Sequence, residues 1–192
     1  LIKSSKNLIS INLKMFYNFY FTNQLVQSEF NSENFYFEVK IKQDFPKINL
    51  IFQSFGPFRR LKRNFIPFLY SSVLEKMKVG EIFIPTWLNH KWLKKKIFME
   101  IDQENLQMIP RNYIELSYMF YKNDKKFLKS IPVQITLIEE LFSIRNSKLK
   151  MGLILLKIPI RAFKLENIGE IELINYKKIL QIQLQVNNFI HA

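Results

Sequence analysis

The sequence predicts an α+β fold in which a small N-terminal β domain precedes a larger, all-helical domain. Apolar and polar residues alternate between Phe35 and Ile41, which is the period of a half-buried strand. After Pro67 the apolar period lengthens to that of a helix. A basic segment, RRLKR at Arg59–Arg63, separates the two patterns. Together these observations place the change of fold class close to Pro67.

The same patterns predict the domain boundaries. We assign residues 26–62 to the β domain and residues 63–192 to the helical domain. Residues 1–25 are expected to form an N-terminal extension, and Met15 is a candidate initiator, so that residues 1–14 are expected to lie outside the folded unit.

Two or three short strands are predicted between Glu29 and Gln53. The first is FYFEVKIK, and the second is INLIF, which follows a break at Asp44–Pro46. The first strand is expected to bury the alternating residues Phe35, Phe37, Val39 and Ile41. A sheet this small needs support from a neighbouring element.

Two helices are predicted to open on prolines, since proline suits the first helical position. The first opens at Pro67 and ends at Gly80, which stops it. Its apolar residues recur every four positions and are expected to face inward: Leu69, Val73 and Met77. The second opens at Pro85, with Leu88 and Trp92 on one side and an apolar face extended by Leu93, Ile97 and Ile101.

A third helix is predicted from Pro110 and a fourth from about Pro132 to Lys150. The third is expected to bury Tyr113, Leu116 and Phe120. The fourth is expected to bury Ile135, Ile138, Leu141, Phe142 and Leu149. Its last turns carry cations, which suit the negative end of the helix dipole: Arg145, Lys148 and Lys150.

The C-terminal segment has two interpretations. Strict alternation in LQIQLQV, from Leu180 to Val186, favours a strand. The spacing of Leu173, Tyr176, Leu180 and Leu184 also fits a helix. Pattern alone favours the strand.

Composition narrows the function. The chain has no cysteine, which excludes disulfides, thiolate zinc sites and cysteine nucleophiles. Its two histidines, His90 and His191, are far apart, and its 4 glycines leave little room for a phosphate-binding loop. No apolar run reaches the length of a membrane span. We therefore predict no enzyme activity, no metal, no cofactor and no membrane partner.

The formal net charge of +13 points to nucleic acid, an acidic protein partner or an anionic surface. Two basic clusters carry part of this charge: Arg59, Arg60, Lys62 and Arg63, and then Lys91, Lys94, Lys95 and Lys96. Such clusters can bind phosphates without sequence specificity, although a solvated helix face is the favoured explanation of the lysines. The two tryptophans, Trp87 and Trp92, fit packing anchors better than base-stacking platforms.

Several motifs follow one another in an order that resembles a known family. They are EFNSE at Glu29 and Phe30, the GPF turn at Gly56, Pro57 and Phe58, IPFLYSSVL at Pro67, and IPTWL at Pro85 and Trp87. Further motifs are IPRNYIEL at Pro110, Tyr113, Glu115 and Leu116, IRNSKLK at Arg145, Lys148 and Leu149, and KLENIGEIEL from Lys164. In this order they resemble the second Psf subunit of the GINS complex, the four-subunit replication factor.

The chain departs from that family at defined places. Leu69 stands where the family has tryptophan in the first helix. RRL at Arg59–Leu61 replaces the family's NPG after the GPF turn, and the first 25 or so residues have no evident counterpart.

The resemblance implies that the C-terminal segment is helical. It also implies a non-catalytic structural subunit that joins three related subunits in a heterotetramer, which binds the MCM ring and the Cdc partner in the CMG helicase. The third helix and Ile135–Leu149 of the fourth are then expected to supply core and interface. A nucleus, or a reduced endosymbiont nucleus, is the expected location, and weak nonspecific DNA contact is expected at the basic clusters. Composition alone favours an alternative, a basic organellar RNA-binding or ribosomal protein.

Overall fold

The computed structural model describes residues 28, 30–51, 53–123, 131–155 and 164–190, without the side chains of 122–123, 131–132 and 183–190. The chain forms two compact units. A β unit comprises Glu29–Thr86, and a helical unit begins at Trp87 and also includes Ser28. The predicted α+β class is confirmed, since the strands lie within residues 36–82 and most of the helical residues follow them.

Across the part of the β unit that the structure describes, the chain forms five short strands. They are β1 (Tyr36–Ile41), β2 (Ile48–Asn49), β3 (Ser54–Phe55), β4 (Arg63–Pro67) and β5 (Gly80–Ile82). One antiparallel sheet has the order β4-β1-β5, and β2 pairs with β3 in a separate hairpin. Because β4 and β5 both pair with β1, the β unit extends to Thr86 rather than to the predicted boundary at 62.

The start of the β unit differs from the prediction. Residues 30–33 are helical, so the EFNSE motif does not open a strand, and Phe35 is exposed. Glu29 and the predicted extension at 1–25 lie outside the described residues. The alternation predicted for β1 is confirmed from Phe37 onward, since Phe37, Val39 and Ile41 are all buried.

Helix α1 (Phe68–Lys76) follows β4 directly. Pro67 is therefore the last residue of β4 and the N-cap of α1, not its first helical residue. The core of the β unit comprises Val39, Ile41, Phe58, Ile66, Leu74 and Val79.

The prediction of the inward face of α1 was wrong. Leu69, Val73 and Met77 are exposed, whereas Phe68, Ser71, Ser72 and Leu74 are buried. The preceding strand sets this orientation, because the Ser71 hydroxyl lies 3.0 Å from the Ile66 carbonyl and 2.9 Å from the Pro67 carbonyl. Two small serines can lie close to the sheet where larger apolar side chains would not fit.

In its described residues, the helical unit contains a 3₁₀ turn and four helices. They are Thr86–Leu88, α2 (His90–Asp102), α3 (Tyr113–Asn123), α4 (Ile131–Leu155) and α5 (Glu170–Ile190). Pro85 and Pro110 precede α2 and α3 rather than opening them, whereas Pro132 is the second residue of α4. Asn89 caps α2 by accepting a hydrogen bond from the Lys91 amide at 3.0 Å, and the Pro110 carbonyl accepts one from Tyr113 at 3.2 Å.

The buried faces predicted for α3 and α4 are confirmed. Tyr113, Leu116 and Phe120 are buried on α3, and Ile135, Ile138, Leu141, Phe142 and Leu149 are buried on α4. The face predicted for α2 is confirmed at Leu93 and Ile97, but Ile101 is exposed because Glu100 takes the inward position.

The C-terminal segment is helical, as the family resemblance implied and against the alternating pattern. Helix α5 runs through Leu180–Val186. Its start is anchored by long-range contacts, because Ile171, Glu172 and Tyr176 are buried. Within the ranges described above, no helix is long and apolar enough to cross a membrane.

Candidate functional site

A buried charge network lies at the centre of the helical unit, around Arg145 of α4. The Arg145 side chain has no exposed surface. Its Nε lies 2.7 Å from Glu172 Oε1, and its Nη2 lies 2.9 Å from Glu172 Oε2, which is a bidentate ion pair. Its Nη1 lies 3.1 Å from Glu100 Oε2. Arg145 thus joins α4 to both α5 and α2.

Backbone carbonyls complete the coordination of Arg145. Nη1 also donates to the Gln107 carbonyl at 3.0 Å, and Nη2 donates to the Asn167 carbonyl. All five donors of the guanidinium are therefore used. Burial alone would lower the pKa of Arg145, but its hydrogen bonds and its attraction to Glu172 raise that pKa above the ordinary value. The guanidinium stays charged.

The carboxylates of the network have further partners. Glu172 Oε1 accepts a hydrogen bond from the Tyr113 hydroxyl at 2.8 Å, and Glu172 Oε2 accepts one from the Gly169 amide at 2.7 Å. Glu100 Oε1 lies 3.2 Å from Lys148 Nζ. Two carboxylates therefore face two cations, and this balance lets the charges remain buried.

Tyr113 is held as a donor. Burial, and then the negative charge of Glu172, raise the pKa of Tyr113 well above its ordinary value. The phenol therefore keeps its proton for Glu172. Nearby on α3, the Glu115 carboxyl is also buried and accepts a hydrogen bond from the Ser28 hydroxyl. Burial raises the pKa of Glu115 to about 7.

The position of the charged residues on α4 differs from the prediction. Arg145 and Lys148 were expected to complement the helix dipole in the last turns, but α4 continues to Leu155. Arg145 instead satisfies the buried carboxylates, and Lys148 bonds Glu100 and the Gln103 carbonyl. Lys150 is exposed on the helix surface, but it also precedes the last turn of α4, which contains no basic residue.

Other motif residues have structural positions in the core. Leu116 is buried on α3, and Leu149 packs in a cluster with Leu153 and Tyr176. Lys148 and Leu149 also line a cleft of about 840 Å³ between α4 and the segment that leads into α5. The same cleft is lined by Gly152, Lys164, Asn167 and Tyr176.

The GPF turn lies in the β unit. The Gly56–Pro57 peptide bond is cis, and Gly56 has a φ of +95°, which favours glycine. Phe58 is buried and forms a β-bridge with Phe45. Phe30 is exposed, whereas Pro85 and Trp87 are half-buried.

The two basic clusters lie in different units. In the β unit, Arg59, Arg60, Lys62 and Arg63 are exposed. In the helical unit, Lys91, Lys94 and Lys95 are exposed on α2, while Lys96 is half-buried with its Nζ 5.4 Å from the Trp92 ring centroid. Trp92 thus makes a cation–π contact with Lys96 in addition to its predicted role in packing.

The sequence prediction missed Glu100, Gln107, Asn167 and Glu172. Glu100 lies on the same face of α2 as the buried residues Leu93 and Ile97. A charged residue at a position where the pattern expects an apolar one was therefore the signal for a buried ion pair. Glu172 lies inside the KLENIGEIEL motif, but its role depends on an ion pair with a residue 27 positions earlier. Gln107 and Asn167 act through backbone carbonyls, for which side-chain identity gives no signal.

Comparison with known proteins finds relatives that share one description. No family model matches the chain. The chain is 26% identical over 123 residues to "Probable DNA replication complex GINS protein PSF2" of Brugia malayi. The aligned region covers 64% of this chain and 65% of that protein. It is 27% identical over 129 residues to the Caenorhabditis elegans protein of the same description, covering 66% and 71%.

A third relative is "DNA replication complex GINS protein PSF2" of Debaryomyces hansenii, 29% identical over 135 residues, or 68% of this chain and 66% of that protein. These matches confirm the resemblance to the Psf2 family. The match spans slightly less than two thirds of two of these Psf2 relatives. In this Psf2-like chain, the motif residues of α3 and α4 meet in one buried network.

Proposed function

We propose that this chain is a Psf2-type subunit of a GINS complex and acts in DNA replication. The observation that carries the proposal is that three relatives from different organisms share the description GINS protein PSF2. In the finer form of the proposal, the chain is a non-catalytic scaffold in a heterotetramer with three paralogous subunits. That tetramer supports the CMG helicase together with the MCM ring and the Cdc partner, in the nucleus. A reduced endosymbiont nucleus stays a prediction.

The charge network supports a scaffolding role. It joins α2, α3, α4 and α5 through hydrogen bonds that lie inside the helical unit. Tyr113 and Arg145 use the chemistry of their side chains to bind other parts of this chain. The motifs that contain Tyr113 and Arg145 therefore stabilise the fold of the subunit, and this role requires no substrate.

Exposed apolar residues support assembly with partners. On α2, Phe98 and Ile101 are exposed, and near the end of α4 the exposed apolar residues are Met151, Ile154 and Leu155. Large exposed apolar patches mark interaction surfaces. We propose that partner subunits cover these positions. The predicted interface at Ile135–Leu149 then moves toward the C-terminal end of α4, since Ile135 and Leu149 are buried within the chain.

Co-purification tests the proposal. We expect the chain to be poorly soluble when expressed alone and to co-purify stoichiometrically with three paralogous subunits when all four are co-expressed, because its exposed apolar faces require cover. Mass spectrometry of a pull-down from the source cells identifies the partners. A stable, monodisperse monomer that ignores those subunits would overturn the proposal.

The same pull-down decides between the proposal and the alternative. The charge of +13 is the observation that favours a basic organellar RNA-binding or ribosomal protein. Recovery of ribosomal RNA with the chain, without MCM subunits, would establish that alternative. Recovery of MCM subunits would exclude it. Weak nonspecific DNA contact at the two basic clusters belongs to the proposal and is tested through its salt dependence.

A further inference from the structure

The outer face of the β4-β1-β5 sheet carries a surface that scaffolding does not use. Since β1 buries Phe37, Val39 and Ile41, its other residues point to the opposite face. These outward residues are Tyr36, Glu38 and Lys40.

Two phenylalanines flank Glu38 on this face. Phe65 of β4 is the register partner of Glu38. On the other side, the Phe83 amide donates to the Glu38 carbonyl at 2.9 Å, which extends the pairing of β5 by one residue. Phe65 is 69% exposed. An aromatic ring this exposed on a sheet face has a planar surface free for stacking.

An arginine is fixed between them. The Arg63 Cζ lies 4.6 Å from the centroid of the Phe83 ring, and Arg63 Nη1 lies 3.1 Å from Glu38 Oε1. The side chain of Arg63 therefore crosses β1 and is held by both a ring and a carboxylate. It remains 61% exposed. A guanidinium ordered in this way offers a second planar surface beside Phe65.

Positive charge is concentrated at one end of the face. Lys40 is the register partner of Arg63 and is exposed. The turn that precedes β4 closes at the same end, because the Leu61 amide donates to the Ile41 carbonyl at 2.8 Å. That turn exposes Arg59, Arg60 and Lys62.

The carboxylates of this face do not cancel the charge. Glu38 is paired with Arg63, and Glu81 is paired with Lys42 at 3.0 Å. Glu38 and Glu81 therefore each have their own cation. Asp44 lies beside the turn, where it accepts a hydrogen bond from the Arg60 amide at 2.6 Å, and it offsets one charge there. The charge of Lys40 and the other charges of the turn remain in excess. An aromatic centre beside a basic end matches the chemistry of single-stranded nucleic acid, which presents base faces and phosphates together.

We propose that this face binds single-stranded DNA, with a base stacked on Phe65 and phosphates bound by Lys40, Arg59, Arg60 and Lys62. Double-stranded DNA keeps its base faces stacked within the helix and offers Phe65 no partner. The choice of DNA over RNA rests on the proposed function in replication, whereas the stacking and phosphate contacts do not depend on it.

Fluorescence anisotropy with a labelled oligo-dT of about 12 nucleotides tests the proposal, on the 192-residue chain alone if it is soluble and otherwise on its complex with the co-expressed subunits. We expect the chain to bind this strand more tightly than a duplex of equal length. Phe65→Ala should weaken binding by about 5- to 100-fold, and Phe65→Tyr should retain it because the ring is kept. Phe30→Ala is the matched control, since Phe30 is 59% exposed in the helical residues 30–33 rather than on a strand, and it should leave affinity unchanged.

Salt dependence tests the phosphate contacts separately. Replacing Arg59 and Arg60 with glutamine should lower the slope of log K against log salt by about 0.7 for each phosphate that is no longer neutralised. Equal affinities for Phe65→Ala and Phe30→Ala would overturn the proposal. So would equal binding of the duplex, tighter binding of an oligo-U strand, or equal competition by an acidic peptide. Phe65→Ala should still co-purify with partner subunits. Failure of the proposed DNA binding can therefore be distinguished from failure of the proposed assembly.

Discussion

Replacing Arg145 with methionine removes the centre of the buried network while nearly keeping its length. The variant leaves Glu172 and Glu100 without their guanidinium, and it leaves the Gln107 and Asn167 carbonyls without a donor. Lys148 remains to balance Glu100, but it carries no bond to Glu172. The change therefore leaves the buried Glu172 carboxylate without a cation, with the hydrogen bonds from Tyr113 and Gly169 as its remaining partners.

The size of the effect follows from that geometry. Breaking a buried ion pair by removing one partner costs about 3–5 kcal/mol, because the other charge remains buried and uncompensated. A domain is stable by only about 5–15 kcal/mol, so we expect Arg145→Met to lose a large part of the stability of the helical unit. Arg145→Lys should fall between, since an ammonium keeps the charge but not the bidentate fork.

Urea unfolding followed by tryptophan fluorescence measures this loss in the unit concerned. Both tryptophans of the chain, Trp87 and Trp92, belong to the helical unit, so their emission reports the unfolding of the helical unit. Lys164→Met is the matched control, because it breaks an ion pair with Glu166 in which both side chains are exposed. Exposed pairs contribute about 0–1 kcal/mol.

A double variant separates the charge effect from lost packing. Arg145→Met combined with Glu172→Met removes both ends of the pair and should be less destabilised than Arg145→Met alone. If Arg145→Met unfolds within about 1 kcal/mol of the control, the reasoning from buried charge is refuted. If the double variant loses the sum of the two single losses, the pair is not coupled as the distances indicate.

Three further predictions follow from single features. The pKa of Glu115 in the folded protein is about 7, above its ordinary value of 4.5. The stability that its protonated carboxyl contributes is therefore full below about pH 4.5 and is lost as the pH rises through 7. The free energy of unfolding should fall by about 3 kcal/mol over that range. Glu115→Gln should abolish that loss in unfolding curves at pH 5 and pH 8, and an unchanged pH profile would contradict it. Gly152 lies inside α4 with open space where the methyl group of an alanine would lie, so Gly152→Ala should stabilise by about 0.5–1 kcal/mol, and a lower unfolding midpoint would count against this. Three lysines of α2 are exposed: Lys91, Lys94 and Lys95. Replacing all three with glutamine should flatten the salt dependence of DNA binding, and an unchanged slope would show that α2 is not part of the DNA contact.

The sequence predicted α3 and α4 well because their buried faces repeat strictly. Leu141, Phe142 and Leu149 keep the helical phase, and each is buried. Arg145 lies in the same phase, three positions after Phe142 and four before Leu149. A charge in that phase indicates a buried partner, but its partner Glu172 lies on another helix, and periodicity within one helix gives no information about pairs between helices.

Errors arose where a neighbouring element decides the outcome. Helix α1 is short and follows β4 without a loop, so the sheet sets which side of it is buried, and Leu69 and Val73 are left exposed. In α5, alternation over Leu180–Val186 favoured a strand, but contacts at the start of the helix settle its conformation. The stacking face around Phe65 was not predicted, because Phe65, Arg63 and Phe83 come together only through strand register.

Glu172 makes the formation of α5 dependent on α4. One of its oxygens accepts the Gly169 amide and Arg145 Nη2 together, so the carboxylate that caps the first turn of α5 is also the partner of a residue on another helix. In an isolated peptide starting at Lys164, the same carboxylate would be solvated and its cap weaker. Helix initiation and tertiary packing are thereby one event, and the helical unit should fold as a single cooperative block in which α5 does not fray independently at its N-terminal end.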